Sequence, residues 1–288
     1  MFSYRHGFHA GNHADVLKHI TLLNSLRLLH KKETPLMLID THAGAGLYSL
    51  NERFATTSLE SNEGVLQLFK AQSSFPLSLG IQEYLKTIQH LQRNVEQIET
   101  YPGSPYLMWQ HLRSKDKLRL MELHPTEFPI LNDLFSDLHD KKQDIQVLMK
   151  DGFAQLKAFL PPPSRRGLIL IDPSYEDKND YFRVIQSLGE AVQRFANGVY
   201  LIWYPILARI EAHDFPTKLK KFCLEKNLPW LQAELRIKSP QETGLSASGM
   251  WIINPPWQLK EQLEEDLPIL KQILATDDEA KYLIDHQE

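Results

Sequence analysis

An acid, a proline, a serine and an aromatic stand in a row at Asp172-Pro173-Ser174-Tyr175, at the end of the apolar run 168–172. These residue types suit a planar exocyclic amine. Its lone pair is delocalised into the ring, so the nitrogen is a poor nucleophile. A carboxylate and a backbone carbonyl that accept both N–H hydrogens favour a pyramidal nitrogen as positive charge develops on it. A proline after the acid stiffens the loop that presents that carbonyl. An aromatic ring stacks on a base that has been turned out of its own stack. In this reading Asp172 is the acceptor, Pro173 sets the shape of the loop, and Tyr175 is the stacking platform.

The tetrapeptide resembles the Asp/Asn/Ser-Pro-Pro-aromatic motif of amino-methyltransferases, with Ser174 in place of the second proline. A rival copy, Asn254-Pro255-Pro256-Trp257, fits the letters better. Only 31 residues follow it, too few to finish a sheet, whereas three predicted strands follow Asp172. The second copy therefore reads as a strand terminator, since proline ends sheet pairing.

A second chemical signal lies in Asp40-Thr41-His42-Ala43-Gly44-Ala45-Gly46. A strand that ends in an acid and runs into Gly-x-Gly brings backbone close to a nucleotide. Position 49 is Ser49 and not the third glycine of the dinucleotide fingerprint, which favours a nucleoside over a pyrophosphate. The acid that would hold the ribose hydroxyls is Glu122, 82 residues after Asp40 and not the usual 20 or so. A segment of roughly 50 residues must therefore be inserted after the first strand. Asp151-Gly152, after the third strand, stands where the adenine ring of such a ligand would lie.

The elements that must carry these residues are legible as periodicity. A helix is expected over 15–30, from the recurrence of Val16, Ile20, Leu23 and Leu26, with Asn12 or Asp15 as cap. Apolar runs at 36–40, 118–123, 145–149, 168–172 and 199–203 read as buried strands, with helical patterns between most of them. The clearest of these spans 181–196, capped by Asp180 and stopped at Asn197-Gly198. Such alternation predicts a parallel sheet covered on both faces. Two further runs, 234–237 and 250–254, have no helix between them and predict an antiparallel closing pair. Three parts follow: residues 1–50 as an N-terminal lid helix, first strand and glycine loop, 51–100 as an inserted helical subdomain, and 101–288 as the rest of the α/β domain.

Of the 288 residues, 42 % are hydrophobic and 24 % charged, which predicts a packed core. The run 199–210 is the longest apolar stretch, and Pro205 and Arg209 interrupt it short of a membrane span. One cysteine, Cys223, rules out an internal disulfide framework and fits a cytoplasmic setting. Net charge is −4, but residues 260–288 carry −6 from nine acids and three lysines. The first 32 residues carry +4, so a basic end is set against an acidic tail. Four histidines fall in the first 19 residues. His9 and His13 have metal-ligand spacing, but further ligands are missing, and no metal is expected. Tyr4, Arg5, His6 and Lys18 combine stacking with positive charge and suit an RNA contact.

Taken together, these blocks resemble the ribosomal RNA large subunit methyltransferase J family along nearly the whole chain. The resemblance rests on Tyr4-Arg5-His6, on 8–19, on 40–46, on Tyr101-Pro102-Gly103-Ser104-Pro105 and on Glu122-Leu123-His124-Pro125. Residues 165–173, Ala247-Ser248-Gly249-Met250 and 253–257 carry it further. It implies a Rossmann-like class I methyltransferase fold, α/β, with a mostly parallel seven-stranded sheet and the inserted helices. It implies S-adenosyl-L-methionine as cofactor, held by His19, His42, Ser104, Glu122, Asp151, Gly152 and Asp172, to which the glycine-loop reading adds Gly44. It implies methylation of N6 of an adenine in 23S ribosomal RNA, at adenine 2030, with Asp172 catalytic and Tyr4, His6 and Lys18 positioning the RNA. It further implies a monomer that acts on free or partly assembled RNA, with no membrane. Position 174 departs from the family pattern, and its hydroxyl is expected to bond across the turn in place of the proline's stiffness. Two other classes remain open to the residues alone. One is a non-catalytic RNA-binding protein on the same fold, favoured by Ser174. The other is a nicotinamide-dependent oxidoreductase, disfavoured by Ser49.

Overall fold

Runs of four to seven residues, buried along all or nearly all of their length, make the central strands. A strand covered on both faces has no polar side to alternate with. A computed structural model of the chain describes residues 9–50, 60–92, 98–138, 143–240 and 244–287. Strands β1 (Met37–Asp40), β4 (Lys117–Met121), β5 (Asp144–Leu148), β6 (Gly167–Ile171) and β7 (Val199–Pro205) are mutually parallel. Strand β9 (Ala247–Ile253) enters antiparallel between β7 and β8 (Trp230–Arg236). The order is β10-β8-β9-β7-β6-β1-β4-β5.

All seven expected strands are present, and an eighth extends them. The edge strand β10 (Lys281–Gln287) pairs antiparallel with β8. The acidic tail is thus not a loose appendage. It is helix α9 (Leu259–Leu274) followed by this strand. The expected closing pair at 234–237 and 250–254 is antiparallel, but it lies one strand in from the edge.

The two faces carry separate cores. On one lie α1 (His13–Leu29), α2 (Val65–Ala71), α3 (Leu79–Gln89), α4 (Ser104–Gln110), α5 (Glu127–Leu138) and α9. On the other lie α6 (Gly152–Gln155), α7 (Asn179–Arg194) and α8 (Ile210–Lys226). Among the described residues no helix is long and apolar enough to cross a membrane.

Helix α1 starts two residues before the expected position, because Asn12 and not Asp15 caps it. The Asn12 Oδ1 accepts from Ala14 N and Asp15 N, both at 3.0 Å. Fifteen of its 17 residues are buried, so the described part of the expected lid is a core helix. Helices α2 and α3 pack on α1 and α9 and share their apolar core. Their segment leaves and returns side by side, through a small ladder of β2 (Leu47–Ser49) and β3 (Thr100–Pro102).

Candidate active site

Strand order reverses between β1 and β6: β4 and β5 lie on one side of β1, and β7 on the far side of β6. Ligands of open α/β sheets bind beyond the carboxyl ends of the strands at such a switch point. Asp40 ends β1 and Asp172 follows β6, so both acids stand at that crevice. A cavity of roughly 320 Å³ opens there, lined by His42, Gly44, Ser104, Glu122, Asp151, Gly152, Asp172 and Lys18 among others. The expected cofactor residues are thus brought together from five segments, those after β1, β3, β4, β5 and β6, with one exception. His19 is fully buried. Its Nδ1 lies 2.8 Å from the Tyr101 hydroxyl and its ring stacks on that tyrosine. It supports β3 and does not line the cavity, because its position on α1 faces the ladder at the neck of the insertion.

The glycine loop is tied to the Glu122 carboxylate. Gly44 N donates to Oε2 at 2.7 Å and His124 N to Oε1 at 2.6 Å. Each oxygen has a further lone pair, so both remain able to accept a ligand hydroxyl. Gly44 has φ +62°, and a Cβ there would sit 2.2 Å from the Tyr48 hydroxyl. Asp40 is fully buried and accepts from the Ser104 hydroxyl at 2.6 Å and from His42 N at 3.2 Å. Burial pushes its carboxyl up to about 7. Burial pushes the His42 imidazole down to about 3, so it is neutral at pH 7. Its ring meets Phe153 edge-on at 4.6 Å.

Asp151 caps the short helix α6, with its Oδ1 accepting from Phe153 N at 3.0 Å and Ala154 N at 3.3 Å. Its other oxygen pairs with Arg183, whose guanidinium lies 4.4 Å over the Phe153 ring. Arg183 also reaches Asp180. Asp180 was the expected cap of its helix, but the helix starts at Asn179 and Asp180 lines the cavity instead. No sequence signal marks Arg183, since it sits mid-pattern on an amphipathic helix.

Around Asp172 the geometry is tighter. Its Oδ2 accepts from Lys18 Nζ at 2.6 Å, and the same ammonium reaches Asp15 Oδ1 at 2.8 Å. Burial alone would lower the pKa of Lys18. The charges of Asp15 and then Asp172 more than reverse this and raise it above the ordinary lysine value. Lys18 was expected to meet RNA, yet it is 4 % exposed and paired inside the site. The other expected RNA contacts, Tyr4 and His6, lie outside the described residues.

A second, smaller cavity of about 150 Å³ shares Lys18, Asp172 and Ser174 with the first. It runs between the start of α1 and the end of β7, bounded by Trp203, Pro205 and Arg209. An engineered cavity of about this volume holds one benzene ring. Pro173 is buried and Ser174 exposed. Ser174 Oγ accepts from Glu176 N at 3.4 Å, which is the expected cross-turn bond in a long form. Tyr175 departs from expectation. It is fully buried at φ +54°, and its hydroxyl donates to Trp203 O at 2.7 Å. Tyr181, Trp203 and Phe215 cover its ring, so no face is open to a base. It anchors the loop instead, helped by Arg209, whose Nη2 donates to Tyr175 O.

The rival tetrapeptide is at the other end of the sheet. Asn254 Nδ2 donates to Ala196 O and Gly198 O, both at 2.7 Å, just before β7 begins. Trp257 is 82 % exposed there. Asn254 ends β9, as expected.

Seven carboxylates line the larger cavity: Glu122, Glu127, Asp151, Asp172, Glu176, Asp177 and Asp180. Only Lys18, Lys150 and Arg183 oppose them. An acceptor-rich, net acidic cleft repels a pyrophosphate and suits a ligand with a cation, an ammonium and ribose hydroxyls. S-adenosylmethionine has that chemistry, and the residues fit it. Among the described residues no group of histidine, cysteine and carboxylate side chains is placed to hold a metal ion.

Known proteins resemble the chain along nearly its whole length. The family model described as ribosomal RNA large subunit methyltransferase D, RlmJ, matches residues 33–285. The chain is 43 % identical over 271 residues to the ribosomal RNA large subunit methyltransferase J of Escherichia coli K12, covering 94 % of this chain and 93 % of that protein. It is 41 % identical over 285 residues to the Haemophilus influenzae protein of the same name, covering 99 % and 98 %. A crystal structure of a Legionella pneumophila protein superimposes with a TM-score of 0.86 at 34 % identity, covering 96 % of this chain and 98 % of that one.

Proposed function

The chain belongs to the ribosomal RNA large subunit methyltransferase J family, and on that premise we propose that it methylates N6 of an adenine in 23S ribosomal RNA. It is a Rossmann-like methyltransferase of ribosomal RNA, and its cofactor is S-adenosylmethionine. The adenine-N6 step and the choice of adenine are our reading. One observation carries it. Asp172 stands between a cofactor-sized cavity and a ring-sized one, and its Oδ1 makes no hydrogen bond among the described residues.

When bound, the cofactor supplies an electrophilic methyl group on a sulfonium. The chain's residues do the rest. Glu122 would accept the ribose hydroxyls, and Asp151 with Gly152 would hold the adenine ring. Neutral His42 would add no positive charge to a site that takes a cation. The target base enters the smaller cavity with its amine towards Asp172. Asp172 Oδ1 takes one N–H, and the carbonyl at Asp172-Pro173 takes the other. The nitrogen lone pair then points into the larger cavity. With the cofactor bound, this placement would let a C–N bond form as the C–S bond breaks, with S-adenosylhomocysteine as the leaving group and water taking the amine proton. Tyr175 stacks on nothing here; Ser174 and the walls of the smaller cavity hold the base. Tyr4, His6 and Lys18 are assigned to positioning the RNA, and the protein works as a cytoplasmic monomer on free or partly assembled RNA.

The test is methyl transfer from radiolabelled S-adenosylmethionine to unmodified, protein-free 23S ribosomal RNA, with nucleoside analysis. Label is expected as N6-methyladenosine with the native protein. Asp172→Ala should lower the rate by about 10²–10³-fold, the loss typical of a missing charge-stabilising acceptor. Label on a protein or on duplex DNA, and none on this RNA, would overturn the reading. So would RNA binding that ignores both the cofactor and Asp172.

A further inference from the structure

We propose that Asp15 is a positioning residue of the methyl-transfer step: it holds the Lys18 ammonium, so that Lys18 occupies only one oxygen of Asp172 and leaves the other for the target amine.

The inference rests on the adenine-N6 reading and deepens it. Three charged side chains form a chain from the first turn of α1 to the loop after β6. Asp15 Oδ2 accepts from Gly11 N at 2.9 Å, and Asp15 Oδ1 lies 2.8 Å from Lys18 Nζ. Lys18 Nζ lies 2.6 Å from Asp172 Oδ2. Their side chains are 2 %, 5 % and 13 % exposed. Taking such charges out of water is costly, and a buried ammonium between two carboxylates persists only because each partner is in place. Asp40, fully buried at the end of β1, is the other charged group that acts on both Lys18 and Asp172.

The spacing is a property of the helix. Residues i and i+3 share a face, so Asp15 meets Lys18 without help from the rest of the fold. Asn12 caps the same turn, which fixes the Asp15 backbone. With Asp15 neutral, the full charge of Lys18 falls on Asp172. The pair contracts, the carboxylate turns towards the lysine, and Oδ1 leaves its position facing the amine. Asp15 touches neither substrate nor cofactor in this account; it acts through Lys18.

Asp15→Asn and Asp15→Glu test it in the full chain, with S-adenosylmethionine and 23S ribosomal RNA. Asp15→Asn should lower kcat by about 10–100-fold, in the range of a lost positioning contact, with cofactor Kd within about threefold. It should also bring the alkaline loss of activity to a lower pH than in the native protein, because loss of a close opposite charge lowers the pKa of a buried lysine. Asp15→Glu should keep the native profile. A purely structural role would lower the melting temperature and leave the pH profile alone. Asn with native kcat and a native profile overturns the proposal. Should Asp15→Asn not fold, NMR of Lys18 Nζ in the native protein decides: an ammonium that persists from pH 7 to about 10.5 supports the proposal, and titration inside that window overturns it. That measurement and cofactor affinity need no RNA, so failure of the adenine-N6 reading would show separately, as absent transfer by the native protein.

Discussion

A carboxyl at the end of a buried strand has to be stabilised by whatever surrounds it, and among the described residues Asp40 accepts from the Ser104 hydroxyl and one backbone N–H and feels the Lys18 charge. Burial outweighs these and raises it from 3.8 to about 7. The folded protein therefore binds a proton at Asp40 that the unfolded chain gives up above about pH 4. Stability from this group is full below pH 4 and is lost as pH rises towards 7. Asp40→Asn keeps the size and an acceptor for Ser104. It should be more stable than the native protein above pH 7, by up to about 4 kcal/mol given roughly 1.4 kcal/mol per pKa unit, with the gap closing towards pH 4. Urea unfolding of both proteins at pH 4, 6 and 8 checks this; a constant gap across the three would refute the burial argument. At this scale the sequence exposes residue type and place in the chain, but not surroundings. Asp172 and Glu122 were legible because each ends an apolar run. Tyr175 was misjudged because burial by Tyr181 and Phe215 depends on helices that start 4 and 35 residues later in the chain. Asp15 and Arg183 carry no local signal that separates them from any polar helix position.

Elements matter here chiefly by bringing loops to within van der Waals distance of each other. The loop after β5 crosses the loop after β1 at Gly152, where an added Cβ would lie 1.9 Å from Thr41 O. That neighbour is backbone and cannot swing away. Gly152→Ala must push the two loops apart, moving Asp151 from its cap and from the cofactor cavity. The expected cost is about 2–4 kcal/mol, in the upper range for single substitutions, with cofactor affinity down at least tenfold. Thermal melts with and without S-adenosylmethionine measure both. An alanine variant with native cofactor affinity would mean that the crossing is looser than this geometry. Strand positions were legible because buried parallel strands read as unbroken apolar runs, as in 167–171. The nature of α1 was not. Its sequence shows an apolar stripe, whereas polar Lys18, His19, Thr21, Asn24 and Ser25 are buried as well. They are buried because α3, α9 and the sheet surround the helix, and those neighbours come from distant parts of the chain.

On the scale of the whole molecule, the chain separates where it reacts from where it is held shut. The site lies at the β1–β6 switch point, while the C-terminal strand closes the opposite edge. Four strand spacings of about 4.8 Å separate β10 from β6, so roughly 19 Å of sheet lies between them. Composition suggested an acidic tail and nothing more, because Lys281–Gln287 shows too little apolar alternation to announce a strand. Its place comes from pairing with β8 along seven residues, from Lys281↔Arg236 to Gln287↔Trp230. Tyr282 and Leu283 stay more than 40 % exposed, so β10 contributes backbone pairing more than burial. Unpaired, β8 would present a row of open N–H and C=O groups beside Leu231 and Leu235, a template for pairing with another chain. Truncation after Ala280 should therefore lower the melting temperature by several degrees and promote self-association, read by light scattering. It should leave kcat per folded molecule within about twofold, since no residue of β10 lines either cavity. A truncated protein that stays monomeric but loses methyl transfer would mean that the tail reaches the RNA, and the edge strand would then belong to the substrate surface.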